Sequence, residues 1–263
     1  MKTDILIIGS GIAGLSFAIK TASARPDLRV LVLTKSRPES CNTSHAQGGM
    51  AVVLDEVEDS FEQHIEDTLK AGGGLSDPEV VTMVVTQAPE RLYELIAWGT
   101  SFDHNNDGEL ELALEGGHSR RRIVHHRDLT GKEMETKLLQ KAASLPNIEF
   151  YDEYFATDLL LSEGPEPHCI GVQALDSLRE QHLNIYSQVT FLATGGSGRI
   201  FRNTTNPSVA TADGVAMAFR AGARISNMNF IQFHPTALYA GEEQALFLIS
   251  EAVRGFGACS SPA

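Results

Sequence analysis

Between Asp4 and Gly14 the chain reads Asp-Ile-Leu-Ile-Ile-Gly-Ser-Gly-Ile-Ala-Gly, and this stretch narrows the choice of fold more than any other. Ile5 to Ile8 form an unbroken apolar run rich in β-branched residues, which suits a strand buried on both faces of a parallel sheet. A tight turn must follow. Gly9 permits it, Gly11 lets the backbone come close to a pyrophosphate, and Gly14 lets the next helix pack near the strand. The N–H groups around Ser10, Ile12 and Ala13, with the positive end of a helix predicted through Leu15 to Ala24, then point at an anion. A glycine pattern that follows a strand and opens a helix is the context a dinucleotide-binding turn requires.

The second strand is predicted at Arg29 to Thr34. At its end such folds normally place an acidic residue for the ribose hydroxyls, about 20 residues beyond the last glycine. This chain has Thr34-Lys35 there, so an ordinary NAD site is disfavoured and the lysine is suited to a phosphate instead. Charge matters here, because 21 Lys and Arg against 34 Asp and Glu give a formal net charge of −13. Such a field repels nucleic acid and anionic membrane, so an anionic ligand must be held by local cations and backbone amides. The uncharged run from Ile5 to Ile19 is interrupted by glycines and no segment reaches membrane-spanning length, so a cytoplasmic chain without a signal peptide is expected. Cys41, Cys169 and Cys259 are odd in number and lack Cys-x-x-Cys spacing, which indicates neither a disulfide framework nor a metal site.

Downstream lies a polar, glycine-ended loop, Ser40-Cys41-Asn42-Thr43-Ser44-His45-Ala46-Gln47-Gly48-Gly49-Met50. With its Ala-Gln-Gly-Gly run, the chain resembles the flavoprotein family of succinate dehydrogenase, fumarate reductase and L-aspartate oxidase. Ser44 to Val53 and Glu66-Asp67-Thr68-Leu69-Lys70-Ala71-Gly72 most resemble the L-aspartate oxidase branch. The resemblance implies an FAD site that takes in residues 42 to 49. The respiratory members carry a histidine, covalently joined to FAD, five positions before the glutamine. Asn42 stands there in this chain and His45 stands two before Gln47, so the resemblance implies FAD held without a covalent link.

Ser60 and Gln63 form a capping-box signal for a helix to about Lys70, ended by Gly72 to Gly74. Ser76 to Glu79 start another, with Pro89 breaking or kinking it and Gly99 closing it. His64 is expected to be a solvated helix residue. Asn105 to Gly108 form a turn without the oxygen spacing of a calcium loop. Thr130 and Glu133 read as a further capping box, for a helix to about Ser144 that Pro146 ends. Strands are predicted at Ile148 to Tyr151, Thr157 to Leu161, Cys169 to Leu175 and Ile185 to Leu192, the later ones as a small β-meander.

Glu115-Gly116-Gly117-His118-Ser119 precedes Arg120-Arg121-Arg122, and three arginines in an acidic chain ordinarily pair with surface carboxylates. The resemblance implies a role for Glu115 beside the amino group of a substrate, since a carboxylate pairs with an ammonium that succinate lacks. It also brings Thr194 and Gly195 toward the flavin and adds Asp213 to the FAD contacts, where the residue alone reads as a helix N-cap. His234, in Gln-Phe-His-Pro-Thr, and Ser250, Glu251 and Arg254, in Leu-Ile-Ser-Glu-Ala-Val-Arg-Gly, match substrate-side positions of the family.

The expected fold is therefore α/β, a Rossmann-like FAD-binding domain from Met1 to about Ser226 with an inserted small β-meander. The start of an α+β capping domain is expected from about Asn227 to Ala263. The resemblance covers about the first half of the family's length, so the FAD-binding domain is expected to lack its returning C-terminal segment. It implies oxidation of L-aspartate to iminoaspartate, the first step toward quinolinate and NAD, with oxygen or fumarate as acceptor. The alternatives are a succinate/fumarate oxidoreductase and a non-catalytic flavin-domain fragment. The implied ligand is a small dicarboxylate or amino acid, and quinolinate synthase or a separate C-terminal half are the candidate partners.

Overall fold

The computed structural model describes residues 1–55, 57–234, 236–238 and 247–249. It divides into two compact units, Met1–His45 with Glu135–Leu248, and Ala46–Met134 with Ile249–Ala263. The expected boundary near Ser226 thus falls inside the first unit. Ser250, Glu251, Arg254 and Cys259 lie outside the described residues.

In the first unit β1 (Lys2–Ile8) is followed by α1 (Ile12–Ala24) and β2 (Val30–Leu33). Ile5 to Ile8 and Val30 to Leu33 are all buried, as continuous apolar runs inside a parallel sheet must be. The six-stranded sheet has the order β6-β2-β1-β9-β8-β7, adding β6 (Ile148–Tyr151), β7 (Tyr154–Leu161), β8 (Cys169–Asp176) and β9 (Gln181–Leu192). β6, β2, β1 and β9 run parallel, while β8 is antiparallel to both β9 and β7. The meander is thus no separate sheet, because its last strand returns to pair with β1 from Lys2↔Tyr186 to Ile8↔Leu192. One sheet face contributes Leu6, Ile8, Leu31, Leu33, Val172 and Ile185 to a cluster closed by Met217. Met217 belongs to α5 (Asp213–Arg220). Each such fully buried side chain contributes about 1.5–3 kcal/mol.

The second unit holds β3 (Met50–Ala51), α2 (Phe61–Ala71), α3 (Pro78–Ala97), β4 (Leu112–Ala113) and β5 (Ile123–Val124), the short strands pairing in the order β3-β5-β4. Ser60 Oγ accepts from the Gln63 N–H at 3.1 Å, as the cap signal requires. Asp77 caps α3 through the N–H groups of Glu79 and Val80 at 2.9 and 3.3 Å. Pro89 does not break α3, which continues to Ala97. Val52, Ala88, Leu92, Phe102 and Val124 form the core. α4 (Thr130–Ala143) follows. Its start departs from the expected capping box: Thr130 Oγ1 accepts from the His126 N–H at 2.9 Å, and Glu133 accepts from the Ser101 N–H at 3.1 Å. In the first unit, β10 (Ala237–Leu238) and β11 (Phe247–Leu248) pair antiparallel with each other.

Candidate functional site

Where β1, β2 and β9 end, the first unit opens a cavity of about 330 Å³ whose wall includes Ile8, Leu33 and Leu192, the last residues of those strands. The glycine turn forms its floor. Gly9 has φ +110°, and a Cβ there would drive into the Ala193 carbonyl. A Cβ on Gly14 would meet the Gly9 carbonyl, so strand and helix can approach this closely only with hydrogen at both positions. Gly11 is the N-cap of α1 and offers no side-chain cap, and the first turn holds no acid. Thr43 Oγ1 accepts from the Ile12 N–H at 3.1 Å, and the buried Ser10 donates to the Pro38 carbonyl at 2.7 Å. The turn and helix end therefore present N–H groups and positive partial charge with no carboxylate in that first turn, which fits the pyrophosphate of a dinucleotide.

Of the residues assigned to a cofactor from the sequence, Gly9, Ser10, Gly11, Ile12, Ala13, Lys35, Asn42, Thr43, Thr194, Gly195 and Asp213 line this cavity. Gly14 packs behind the turn. Ser44 and His45 belong to the 3-10 turn Thr43–His45 and are not part of the lining. This turn gives form to a loop whose sequence has no periodicity, and Ser44 holds it by donating to the Cys41 carbonyl at 2.8 Å. Ala46, Gln47, Gly48 and Gly49 belong to the second unit. There a Cβ on Gly49 would strike the Val124 carbonyl.

Lys35 is already engaged. Its ammonium pairs with Asp213, bonds Thr211 Oγ1 at 2.5 Å and lies 5.6 Å from the centre of the Phe155 ring. A phosphate at Lys35 would compete with that ion pair. The pairing also corrects the reading of Asp213 as an N-cap: Ala212 is the cap residue, at φ 62°, and Asp213 accepts instead from Lys35 and from Thr211 Oγ1, the latter at 2.8 Å.

In the second unit Glu115 lies beside the glycine loop, its carboxylate oxygens 3.5 and 3.6 Å from where a Cβ on Gly48 would stand. The segment after it is tied to α2. Asp67 accepts from the Ser119 N–H and Oγ at 2.9 and 2.7 Å and from Arg122 at 2.8 Å. Arg122 is fully buried and also grips Asp59 with two bonds of 2.7 Å, so the expected surface pairing is wrong for this arginine. Its fork needs two carboxylates because a buried guanidinium must have its N–H groups met. His64 is likewise not solvated. It is 5 % exposed, stacked at a tilt 5.5 Å from His118, and its pKa falls to about 4 through burial and the nearby Arg122 charge.

His234 Nδ1 lies 2.9 Å from the Thr236 carbonyl within its own segment. Among the described residues no group of three or more His, Cys, Asp and Glu is arranged to hold a metal. Sequence reasoning missed Glu135, which is buried beside the cavity-lining Cys41. The available signal was its place on the buried stripe Gly131, Met134, Leu138 and Ala142 of α4, at helical spacing.

Residues 4–261 match the FAD binding domain family. L-aspartate oxidase 2-a, chloroplastic, of Nicotiana tabacum is 49% identical over 263 residues, covering 97% of this chain and 40% of the relative. L-aspartate oxidase of Yersinia pestis is 42% identical, with 97% of this chain and 49% of the relative covered. Among solved structures, an E. coli quinol fumarate reductase superposes with a TM-score of 0.91 at 33% identity, over 98% of this chain and 43% of that one. The chain thus spans less than half the length of these relatives.

Proposed function

The chain belongs to the FAD binding domain family, and from that premise we propose that it serves in the oxidation of L-aspartate to iminoaspartate, with oxygen or fumarate as acceptor. FAD, when bound, supplies the redox chemistry by accepting hydride from the substrate carbon. The chain's own residues hold and orient. The turn from Gly9 to Ala13 takes the pyrophosphate, Lys35 and Asp213 take the polar groups of the nucleotide end, and Thr194 and Gly195 border the flavin. Glu115 receives the substrate ammonium, while His234, Ser250 and Arg254 fix its carboxylates and Glu251 supports them. Fixing both ends of the substrate confers the entropic advantage of a single reactive orientation.

The observation that carries this reading is Glu115 beside Gly48, a carboxylate against a glycine where a side chain's bulk is absent. It is supported by relatives of the same chemistry that share 42–49% of aligned residues. A succinate or fumarate oxidoreductase is the second reading, favoured by the fumarate reductase superposition. Glu115 separates the two, because succinate has no ammonium for it to meet. The test joins this chain to the C-terminal part of the tobacco relative and offers the chimera L-aspartate and succinate. Preferential oxidation of aspartate is expected; preference for succinate would support the second reading instead.

On the same footing we keep Asn227 onward as the start of a capping domain, a reading supported by the separate β10-β11 pair. Quinolinate synthase or a separate C-terminal half remain the proposed partners, and the cytoplasm the proposed location. No helix of the described residues is long and apolar enough to cross a membrane. The remaining alternative is a non-catalytic flavin-domain fragment that binds FAD poorly or not at all, and FAD titration into this chain alone separates it from the other two readings.

A further inference from the structure

Cys41 lines the wall of the dinucleotide cavity, its sulfur 4.0 Å from where a Cβ on Gly11 would lie, and therefore beside the N-cap of α1. Behind it stands Glu135, only 1 % exposed, on the apolar stripe of α4. Both of its carboxylate oxygens are buried without a hydrogen-bond partner, and no cation pairs with it among the described residues. A lone ionised carboxylate in such a place is costly, so the group keeps its proton instead. We propose that Glu135 is a neutral acid that keeps the cavity wall free of negative charge, and that this neutrality is a determinant of FAD affinity.

The inference rests on the FAD-binding reading and deepens it. Burial pushes the carboxyl up to about 8, the neighbouring Cys41 thiol offsetting part of that rise and the Glu39 charge adding to it. The thiol is itself raised, by burial first and by Glu135 next. Glu39 and Cys41 are the titratable groups that act on Glu135, and the two buried ones titrate as a pair. At neutral pH the pair is uncharged. Above about pH 8 one proton leaves and a negative charge appears next to the site that must receive a pyrophosphate.

The sign follows from linkage. A bound anion makes the charged carboxylate still less favourable, so the complex holds its proton more tightly than the free chain. Affinity is therefore full below about pH 8 and declines as pH rises through that value, by at most roughly tenfold per pH unit for one proton. Glu135→Gln has the same shape and no proton to lose.

The experiment titrates FAD into this chain, reading flavin fluorescence, from pH 6 to pH 9.5. For the wild type, Kd should be flat to about pH 7.5 and weaken roughly tenfold by pH 9, while Glu135→Gln stays flat and Cys41→Ser keeps most of the wild-type slope. A second measurement needs no variant: calorimetry in two buffers of different ionisation heat should show a fraction of a proton taken up as FAD binds near pH 8. A flat wild-type profile with no proton uptake overturns the inference alone. A slope that Glu135→Gln retains overturns it too, and so does a slope that disappears only in Cys41→Ser. Absence of FAD binding at every pH would overturn the functional reading together with it.

Discussion

The carbonyl of Ala193 fills the space that a Cβ on Gly9 would need, so the end of β9 and the turn after β1 meet as bare backbone. The contact is fixed by two ladder-end bonds, Ala193 N–H to the Ile8 carbonyl and Gly9 N–H to the Leu33 carbonyl, both 2.9 Å. This junction joins three strands at the mouth of the cavity.

Gly9→Ala should therefore damage stability and binding at once. A positive φ strains any residue with a Cβ, at about 1–3 kcal/mol, and the clash with Ala193 adds to it. The urea midpoint should fall and FAD titration should show no saturable binding. A variant as stable as the wild type, with unchanged FAD affinity, would mean that the turn is not shaped as described.

The Lys35–Asp213 pair should couple measurably, because both side chains are roughly four-fifths buried, at 23 and 21 % exposure. Removing either partner leaves the other charge poorly solvated in the cavity wall. In a double-mutant cycle of Lys35→Met and Asp213→Asn, followed by urea unfolding, a coupling of about 1–2 kcal/mol is expected. Additive losses would show that the two charges act independently.

How much of this was legible depends on how far apart the partners lie. The glycine turn and the Ser60 cap obey local rules, within a few residues, and could be read directly. Lys35 and Asp213 are 178 positions apart, so no window of sequence reveals that the unexpected lysine is answered by an acid. The burial of Arg122 was hidden in the same way, since Asp59 and Asp67 lie 63 and 55 positions away. Those partners turn what reads as a solvated basic run into the anchor of the segment after Glu115. The sequence pattern placed β8 and the ends of β7 and β9 closely, but it missed the first residues of β7 and β9, which begin at Tyr154 and Gln181 rather than Thr157 and Ile185. It gave no means of seeing that β9 would close against β1, because strand pairing is set by tertiary packing.

His64 predicts an acid-sensitive second unit. Its folded-state pKa of about 4 lies below the ordinary 6.5, so the unfolded chain binds the extra proton between those values. The stability it confers is complete above pH 6.5 and is lost as pH falls toward 4, by up to about 3 kcal/mol if the full shift is expressed. His64→Phe removes the proton site while keeping an aromatic ring beside His118. Urea unfolding at pH 7 and pH 5 should show a smaller acid loss in the variant; an equal loss would place the acid sensitivity elsewhere.

Asn42 lines the cavity near Gly195, with its amide nitrogen 4.0 Å from where a Cβ on that glycine would lie. An amide has no nucleophilic ring nitrogen to join to a flavin. Acid precipitation of the FAD-loaded chain should leave all of the yellow colour in the supernatant, and a pellet that stays yellow after washing would contradict this.

The central claim, that Glu115 recognises an amino group, is tested most directly by Glu115→Gln in the chimera with the tobacco C-terminal part. The substitution keeps the shape beside Gly48 and removes the charge. A charge-assisted pair of this kind contributes on the order of 1.5–3 kcal/mol, so kcat/KM for L-aspartate should fall roughly tenfold to a hundredfold. Fumarate carries no ammonium, and its reduction by the same variant should change less than about threefold by the same reasoning. Equal losses on the two substrates would contradict the account and make Glu115 a structural residue of the glycine loop.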